Sequence, residues 1–142
     1  FIRDYDVILP EFIVDREKLI QAILNIARNG AQAMKQNNQD DMKLSFVTRA
    51  ERQIVFRKKK HATAIRIDIV DNGPGIKNEL IDKIFFPLVT GNDKGSGLGL
   101  SLAQNLISLH QGMIDCHSVP GRTIFSVVLP IENNLKPTKD KK

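Results

Sequence analysis

The order of strand-like and helix-like patterns along the chain is the feature that most limits its fold. Alternating apolar and polar residues predict strands, and apolar residues three and four apart predict helices. The predicted strands are Phe1 to Tyr5, Lys43 to Thr48, Gln53 to Arg57, Ala64 to Val70, Met113 to Ser118 and Thr123 to Leu129. The predicted helices are Glu17 to Met34, Glu79 to Phe85 and Leu98 to Leu109. Because the two types do not alternate strictly, we expect an α/β two-layer sandwich, with a mixed, mostly antiparallel sheet covered on one face by about three helices.

Local signals predict where several elements begin and end. Asp15 is a suitable N-cap for the first helix, and Gly112 is a suitable stop after the last one. Pro120-Gly121 is a turn dipeptide between the last two strands. The basic cluster Arg57 to Lys60 lies between strand patterns and is expected at an exposed hairpin tip.

Composition predicts one globular domain and excludes several function classes. The 142 residues are 42% hydrophobic and 26% charged, so we expect a domain over residues 1 to 133 and a Lys-rich, disordered tail over 134 to 142. No apolar run approaches ~18 residues, so no membrane-spanning segment is predicted. The net charge of +5 comes with few aromatic residues, which argues against a nucleic-acid partner. A single cysteine, Cys116, fits a reducing, cytoplasmic compartment.

The helix from Glu17 to Met34 carries the first candidate site. At about 100° per residue, one arc forms the predicted core stripe. Its members are Leu19, Ile20, Ile23, Leu24, Ile26, Ala27, Ala31 and Met34. Asn25 and Asn29 are four residues apart and are expected together on the opposite side. Their amide oxygens suit Mg²⁺, although a solvated polar face would give the same pattern.

The strand that ends at Asp71 carries the second candidate site. Ile65, Ile67 and Ile69 share one parity, and Asp71 continues it, so this carboxylate is expected to face inward. A buried carboxylate requires a donor, for instance the exocyclic amino group of a purine. Asp71, with the Asn-Gly-Pro-Gly segment that follows it, could also be only a turn.

The third candidate site is the run Gly95-Ser96-Gly97-Leu98-Gly99-Leu100, which opens into a helix pattern. Glycines let a ligand approach the backbone, and a helix N-terminus suits a phosphate. The run matches neither a Rossmann fingerprint nor a Walker A loop. The preceding residues 85 to 94 are aromatic at one end and polar at the other, a composition typical of a lid.

Four segments in this order resemble the catalytic and ATP-binding domain of sensor histidine kinases, in the superfamily that includes gyrase and MutL. They are Asn25 to Ala33, Asp71 to Gly75, Phe85 to Pro87 and Gly95 to Leu100. The resemblance implies a Bergerat-type ATP-binding fold with ATP and Mg²⁺ as cofactors. The segments Leu19 to Ala22, Pro87 to Gly91 and Pro120 to Thr123 are similar to the nitrogen-regulation branch of these kinases.

The resemblance implies a role for each matching residue. Asn29 would ligate Mg²⁺ with help from Asn25, Asp71 would hold the adenine amino group, and Thr123 would support the base through water. Lys94 would reach the terminal phosphate and, with Asn25, act in catalysis. The implied ATP-binding set is Asn25, Asn29, Asp71, Gly73, Gly75, Ile76, Thr90, Lys94, Gly95, Ser96, Gly97, Leu98, Gly99, Leu100 and Thr123.

Departures from the family pattern shape the expected activity. Gly30 stands where alanine is frequent, and Gln32 stands where some relatives carry lysine. Asn25 stands where gyrase-type enzymes carry a general-base glutamate, so we expect slow ATP hydrolysis. His61 lacks the helical context of a phosphoacceptor, so the acceptor histidine is expected on a separate dimerisation domain.

The resemblance also implies partners. They are that dimerisation domain, a response regulator similar to NtrC, and a PII-like signalling protein, with a homodimeric full-length protein and a monomeric isolated domain. Two other functions stay open: a nucleotide-dependent docking module and a gyrase-type hydrolytic ATPase.

Overall fold

The computed structural model describes residues 2–4, 15–56, 59–87 and 98–131. Within these ranges the chain forms strands and helices in a mixed order. The elements are β1 (Ile2–Asp4), α1 (Arg16–Gln36), β2 (Leu44–Phe56), β3 (Lys59–Asp71), α2 (Asn78–Ile81), α3 (Gly99–Leu109), β4 (Met113–Val119) and β5 (Arg122–Pro130). Residues 88–94 of the predicted lid and the Lys-rich tail lie outside the described residues.

The strands form one sheet in the order β1-β2-β3-β5-β4. β1 pairs with β2 in parallel, and the other neighbours are antiparallel. The helices cover the sheet face formed by Ile65, Ile67 and Ile69 of β3 and by Phe125 and Val127 of β5. This arrangement confirms the predicted two-layer sandwich with a mixed, mostly antiparallel sheet.

Packing between α1, α3 and the sheet forms the core. Ala22 and Ile26 of α1 and Ala103 and Ile107 of α3 are almost fully buried against the sheet. The α1 N-terminus is also tied to the end of α3, because Nε2 of His110 accepts a hydrogen bond from the Asp15 N–H at 3.0 Å. The two helices therefore form one layer.

The prediction of two separate strands before Arg57 is wrong. Residues 44–56 form the single strand β2, which pairs with β3 from Leu44↔Asp71 to Phe56↔Lys59. In its middle, Glu51 lies on the outer side of the sheet, where Arg66 of β3 bonds to Glu51 at 3.5 Å and to Asp68 at 3.0 Å. Side-chain pairing across strands thus continues the strand where apolar alternation is absent.

The ends of the helices differ in detail from the predictions. Asp15 is the N-cap of α1, and its side chain accepts from the Lys18 N–H as predicted. The helix predicted over Glu79 to Phe85 is only the four residues Asn78–Ile81, followed by turns. The left-handed residue after α3 is Gln111 rather than Gly112. Gly112 is needed for close packing, because a Cβ there would lie 2.6 Å from the Val128 carbonyl oxygen.

The predicted core stripe of α1 is partly wrong. Ile20 and Leu24 are 49% and 47% exposed, and Ala31 is exposed as well. Two small residues outside the predicted stripe, Ala22 and Gly30, are buried together with Ile26, Ala27 and Met34 from the stripe. The buried face is therefore rotated towards the two asparagines of this helix.

Among the described helices, none combines the length and apolar character needed to cross a bilayer.

Candidate functional site

A cavity of about 700 Å³ opens between α1, the loop after β3, the start of α3 and the β4–β5 turn. It brings together Asn29, Gly75, Ile76 and Leu100 from the predicted set. Its other lining residues are Ala33, Gln36, Asn37, Pro74, Lys77, Asn78, Leu80, Ile84, Ser118, Val119 and Pro120. Segments far apart in sequence thus meet around a volume that suits a small molecule.

Asp71 lies at the end of β3 and faces inward, as strand parity predicted. It is 6% exposed, and its Oδ1 accepts a hydrogen bond from the Gly73 N–H at 2.9 Å. Burial raises the pKa of this carboxyl group, while the Gly73 hydrogen bond partly opposes the rise. An ionised carboxylate has several acceptor positions, so Asp71 can accept from a further donor besides Gly73.

Two glycines leave free the space that the Asp71 carboxylate occupies. A Cβ at Gly30 of α1 would lie 2.7 Å from Asp71 Oδ2, and a Cβ at Gly73 would lie 2.8 Å from Oδ1. Both distances are shorter than a carbon–oxygen contact allows. The departure at Gly30 therefore has a physical consequence, because α1 can approach the carboxylate closely only without a side chain there.

The backbone conformation at residue 75 favours glycine. Its φ is +90°, a left-handed conformation that favours glycine, and a Cβ there would lie 2.9 Å from the Val119 carbonyl oxygen. The Gly121 N–H also donates to the Gly73 carbonyl oxygen at 2.9 Å. The β4–β5 turn thus holds the loop that follows Asp71.

Asn72 attaches the same loop to the chain before β2. Its Oδ1 accepts from the Lys43 N–H and from the Gln39 side chain, each at 2.8 Å. Its Nδ2 donates to the Asp41 carbonyl oxygen at 2.8 Å. The loop is therefore held on both sides, which fixes the position of the cavity wall.

Thr123 lies behind the cavity wall. It is 3% exposed and pairs with Asp71 in the β3–β5 register. Its Oγ1 is 2.7 Å from the Ser118 Oγ, which accepts from the Ile76 N–H at 2.8 Å. Sequence reasoning missed Ser118. The predicted turn at residues 120 and 121 was the signal, because it places residues 118 and 123 opposite each other across the hairpin.

The two asparagines of α1 are half-buried, so the prediction that they lie opposite the core is wrong. Asn29 follows Ala22 by seven residues, which places it about 20° from that buried residue on the helix. Asn29 lines the cavity, whereas Asn25 does not. The Asn25 Nδ2 is buried and has no hydrogen-bond partner among the described residues.

The amide side chains of α1 are the candidate ligands that the described part of the site offers to a phosphate-bound Mg²⁺. Among the described residues, no cluster of three His, Cys, Asp or Glu could hold a metal ion. An amide oxygen of Asn29 at the cavity is a hard ligand of the kind Mg²⁺ takes with phosphate oxygens and water. The unpartnered Asn25 Nδ2 is a donor, so as placed it suits an anionic oxygen.

The start of α3 lies beside Asn25. A Cβ at Gly99 would lie 4.0 Å from the Asn25 Cβ. The N-cap residue is Leu98, whose side chain makes no capping hydrogen bond to the first-turn N–H groups. Thr90, Lys94, Gly95, Ser96 and Gly97 lie outside the described residues. Before them, Phe85 packs edge-on against Phe125 at 6.1 Å between ring centroids.

Cys116 and two histidines take no part in this cavity. Burial, followed by the charges of Asp115 and Asp71, raises the pKa of the Cys116 thiol to about 12. The cysteine is thus a protonated, half-buried side chain at neutral pH. His110 ends α3, and His117 is exposed beside Asp115.

A nucleotide-binding domain of the Bergerat type is the class that this fold and site define. Residues 14–133 match the family described as histidine kinase-, DNA gyrase B-, and HSP90-like ATPase, and the chain belongs to this family. Membership implies that the chain binds ATP.

Relatives of this chain include sensory histidine kinases. The chain is 46% identical over 129 residues to "Sensory histidine kinase/phosphatase NtrB" of Vibrio alginolyticus, covering 91% of this chain and 36% of that protein. It is also 46% identical over 130 residues to the protein of the same name from Salmonella typhimurium, covering 92% of this chain and 36% of that protein. The chain thus spans little more than a third of these relatives.

A solved structure agrees on the fold. The catalytic domain of the histidine kinase ThkA superposes with a TM-score of 0.71 at 24% identity, over 92% of this chain and 78% of that one. The predicted family and fold are therefore confirmed, while the roles of individual site residues stay predictions.

Proposed function

We propose that this domain binds ATP with Mg²⁺ as the nucleotide-binding half of an NtrB-like sensor histidine kinase. It would transfer the γ-phosphoryl group to a histidine on a separate dimerisation domain. One observation carries the proposal. One cavity is bordered by Asn29 of α1, Gly75 after β3 and Leu100 of α3, which come from three of the four segments that resemble the kinase motifs.

The two ends of the cavity would hold the two ends of the nucleotide. Asp71 would accept the adenine amino group, and Thr123 would support the base. Asn29, with Asn25, would hold Mg²⁺, which neutralises phosphate charge when it is bound. The first-turn N–H groups of α3 would face the phosphates. Lys94 and the glycine run before α3 keep their roles as predictions from resemblance.

The lining of the cavity supports a kinase over a gyrase-type hydrolase. Among the described residues that line it, none carries a carboxylate. Asn25, which lies beside the start of α3, is an amide where gyrase-type enzymes carry a glutamate. The described lining therefore offers no general base for water, and intrinsic ATP hydrolysis should be slow. Slow hydrolysis keeps the γ-phosphoryl group for a protein acceptor.

The partners follow from the relatives' names and the resemblance. We propose a cytoplasmic, homodimeric full-length protein that passes phosphate to an NtrC-like response regulator and responds to a PII-like signalling protein. The phosphatase activity named for the relatives would belong to the same full-length protein. The domain alone would be monomeric and silent as a kinase, because phosphoryl transfer requires a positioned acceptor.

Phosphorylation in trans tests this function. The domain is mixed with a dimerisation domain that carries the acceptor histidine and with γ-labelled ATP, and acid-labile phosphohistidine is measured. We expect label only when both domains and Mg²⁺ are present. Absence of Mg²⁺-dependent ATP binding would favour a docking module, and rapid ATP turnover by the isolated domain would favour a hydrolytic ATPase.

A further inference from the structure

Ser118 joins three parts of the cavity wall through one hydroxyl group. Its Oγ accepts from the Ile76 N–H at 2.8 Å and lies 2.7 Å from the Thr123 Oγ1. Ser118 lines the cavity, and Thr123 is the cross-strand neighbour of Asp71. The hydroxyl therefore links the loop after β3 to the residue beside the buried carboxylate.

The Ser118 and Thr123 hydroxyl groups have two protons, and the hydrogen bond between them uses only one. Each hydroxyl has one proton and two acceptor positions, and the Ile76 N–H uses one acceptor position of Ser118. Only one proton can lie between the Ser118 and Thr123 oxygens. The second hydroxyl proton is therefore available for an acceptor beyond the pair.

A donor beside an ionised carboxylate matches one edge of a purine. Adenine presents its 6-amino donor next to the N1 acceptor, whereas guanine presents an O6 acceptor next to an N1–H donor. Asp71 supplies the acceptor, and the Ser118–Thr123 pair supplies the donor. An unpaired polar group left on a base edge lowers affinity, so the pair discriminates between the two purines.

We propose that Ser118 is a positioning residue for adenine recognition, which rests on the nucleotide-binding function proposed above. It acts in two ways. It orients the hydroxyl proton that is offered to N1, directly or through water, and it holds the Ile76 backbone at the cavity wall.

Nucleotide titrations with ADP and 1-deaza-ADP test this role. The analogue keeps the 6-amino group and lacks the N1 acceptor, so it cannot use the hydroxyl proton. We expect the unmutated domain to prefer ADP by roughly fivefold, the value of one neutral hydrogen bond. Ser118→Ala should reduce this preference to about one, and Thr123→Val should do the same. The double variant should lose no more preference than either single variant.

A matched control comes from the other face of the same sheet. Ser126 is 4% exposed, accepts from Arg66 at 3.2 Å and does not line the cavity. Ser126→Ala removes a buried serine hydroxyl and should leave the ADP preference unchanged. Ser118→Cys keeps the side-chain size with a weak donor, so it should also lose the preference if Ser118→Ala fails to fold.

Two outcomes would overturn the role of Ser118. One is an equal loss of affinity for ADP and 1-deaza-ADP, which would leave Ser118 as loop support alone. The other is additive losses from the Ser118 and Thr123 changes, which would make the hydroxyls independent. If the unmutated domain bound neither nucleotide, the proposed function itself would fail. This result is distinguishable from the two outcomes above, in which the unmutated domain binds ADP.

Discussion

Two regions beside the cavity, the proposed base end around Asp71 and the proposed phosphate end around Asn25, differ in how far the described residues satisfy their polar groups. At the base end, Asp71, Ser118 and Thr123 are held by hydrogen bonds from within the chain. At the phosphate end, the buried Asn25 Nδ2 has no partner among the described residues. Within the described residues, the polar groups around Asp71 thus have partners, whereas the Asn25 amide donor does not.

This difference separates specificity from affinity. A pre-organised acceptor and donor can reject the wrong base without rearrangement. A buried donor without a partner costs the free protein roughly 1–3 kcal/mol, and a ligand that supplies the acceptor recovers that free energy. The base end should therefore set which nucleotide binds, and the phosphate end should set how strongly binding depends on Mg²⁺ and phosphate.

The largest expected effect is at Asp71. Asp71→Ala should weaken ADP binding roughly 10- to 100-fold, because a hydrogen bond to a charged group contributes about 1.5–3 kcal/mol. The preference for adenine over guanine nucleotides should fall with it. Calorimetric titration with ADP and GDP measures both quantities.

A smaller change at the same position sharpens this test. Asp71→Asn keeps an acceptor for the Gly73 N–H, so it should preserve the fold while losing the purine preference. Equal affinity of the unmutated domain for ADP and GDP would contradict the assignment of Asp71 to the base.

The next largest effect is at Asn29. Asn29→Ala should weaken nucleotide binding roughly tenfold in Mg²⁺ and leave binding in EDTA unchanged, because only the metal-dependent part uses its oxygen. Asn37→Ala is the matched control, since this residue is an exposed asparagine that lines the same cavity. A similar loss with and without Mg²⁺ would remove Asn29 from the metal site.

The sequence predicted those parts of the fold that depend on short-range patterns. Strand parity placed Asp71 on the inner face because the alternation Ile65, Ile67, Ile69 is local. The continuous strand β2 could not be predicted in this way, since Glu51 is stabilised by Arg66, 15 residues away. The buried face of α1 was misplaced because Ala22 and Gly30 are small and carry little hydrophobic signal.

The residues of the candidate site that lie in family motifs could be predicted from the sequence. Those that depend on tertiary contacts could not. Asn29, Gly75 and Leu100 were predicted and meet at one cavity. Ser118 and the close contact of Gly30 with Asp71 depend on which strands and helices become neighbours. Single-sequence patterns do not contain that information.

At the phosphate end, a change at Asn25 should raise the stability of the free protein and weaken ADP binding. Asn25→Leu removes the unpartnered donor and should raise the free energy of unfolding by about 1 kcal/mol without nucleotide. The extra stabilisation that ADP gives should shrink in the same variant. Urea unfolding with and without ADP measures both, and Gln21→Leu on the exposed side of α1 is the control. A destabilised Asn25→Leu variant would mean that the amide has a partner in the free protein.

The smallest expected effect is a pH dependence that belongs to the base end alone. Burial raises the pKa of Asp71 in the folded state above 3.8, so the folded protein holds this proton more tightly than the unfolded chain. The resulting stability is fully present below pH 3.8 and is lost as pH rises through the folded-state pKa. The unmutated domain should therefore lose stability relative to Asp71→Asn as pH rises through this window, in urea unfolding without nucleotide.

ADP affinity should change in the opposite direction, because the adenine amino group needs the ionised carboxylate, so binding should weaken as pH falls through the same pKa. Asp40→Asn, at an exposed carboxylate in the turn after α1, controls for general charge effects. A stability difference from Asp71→Asn that does not vary with pH would contradict the raised pKa and, with it, the buried, pre-organised state of the base end.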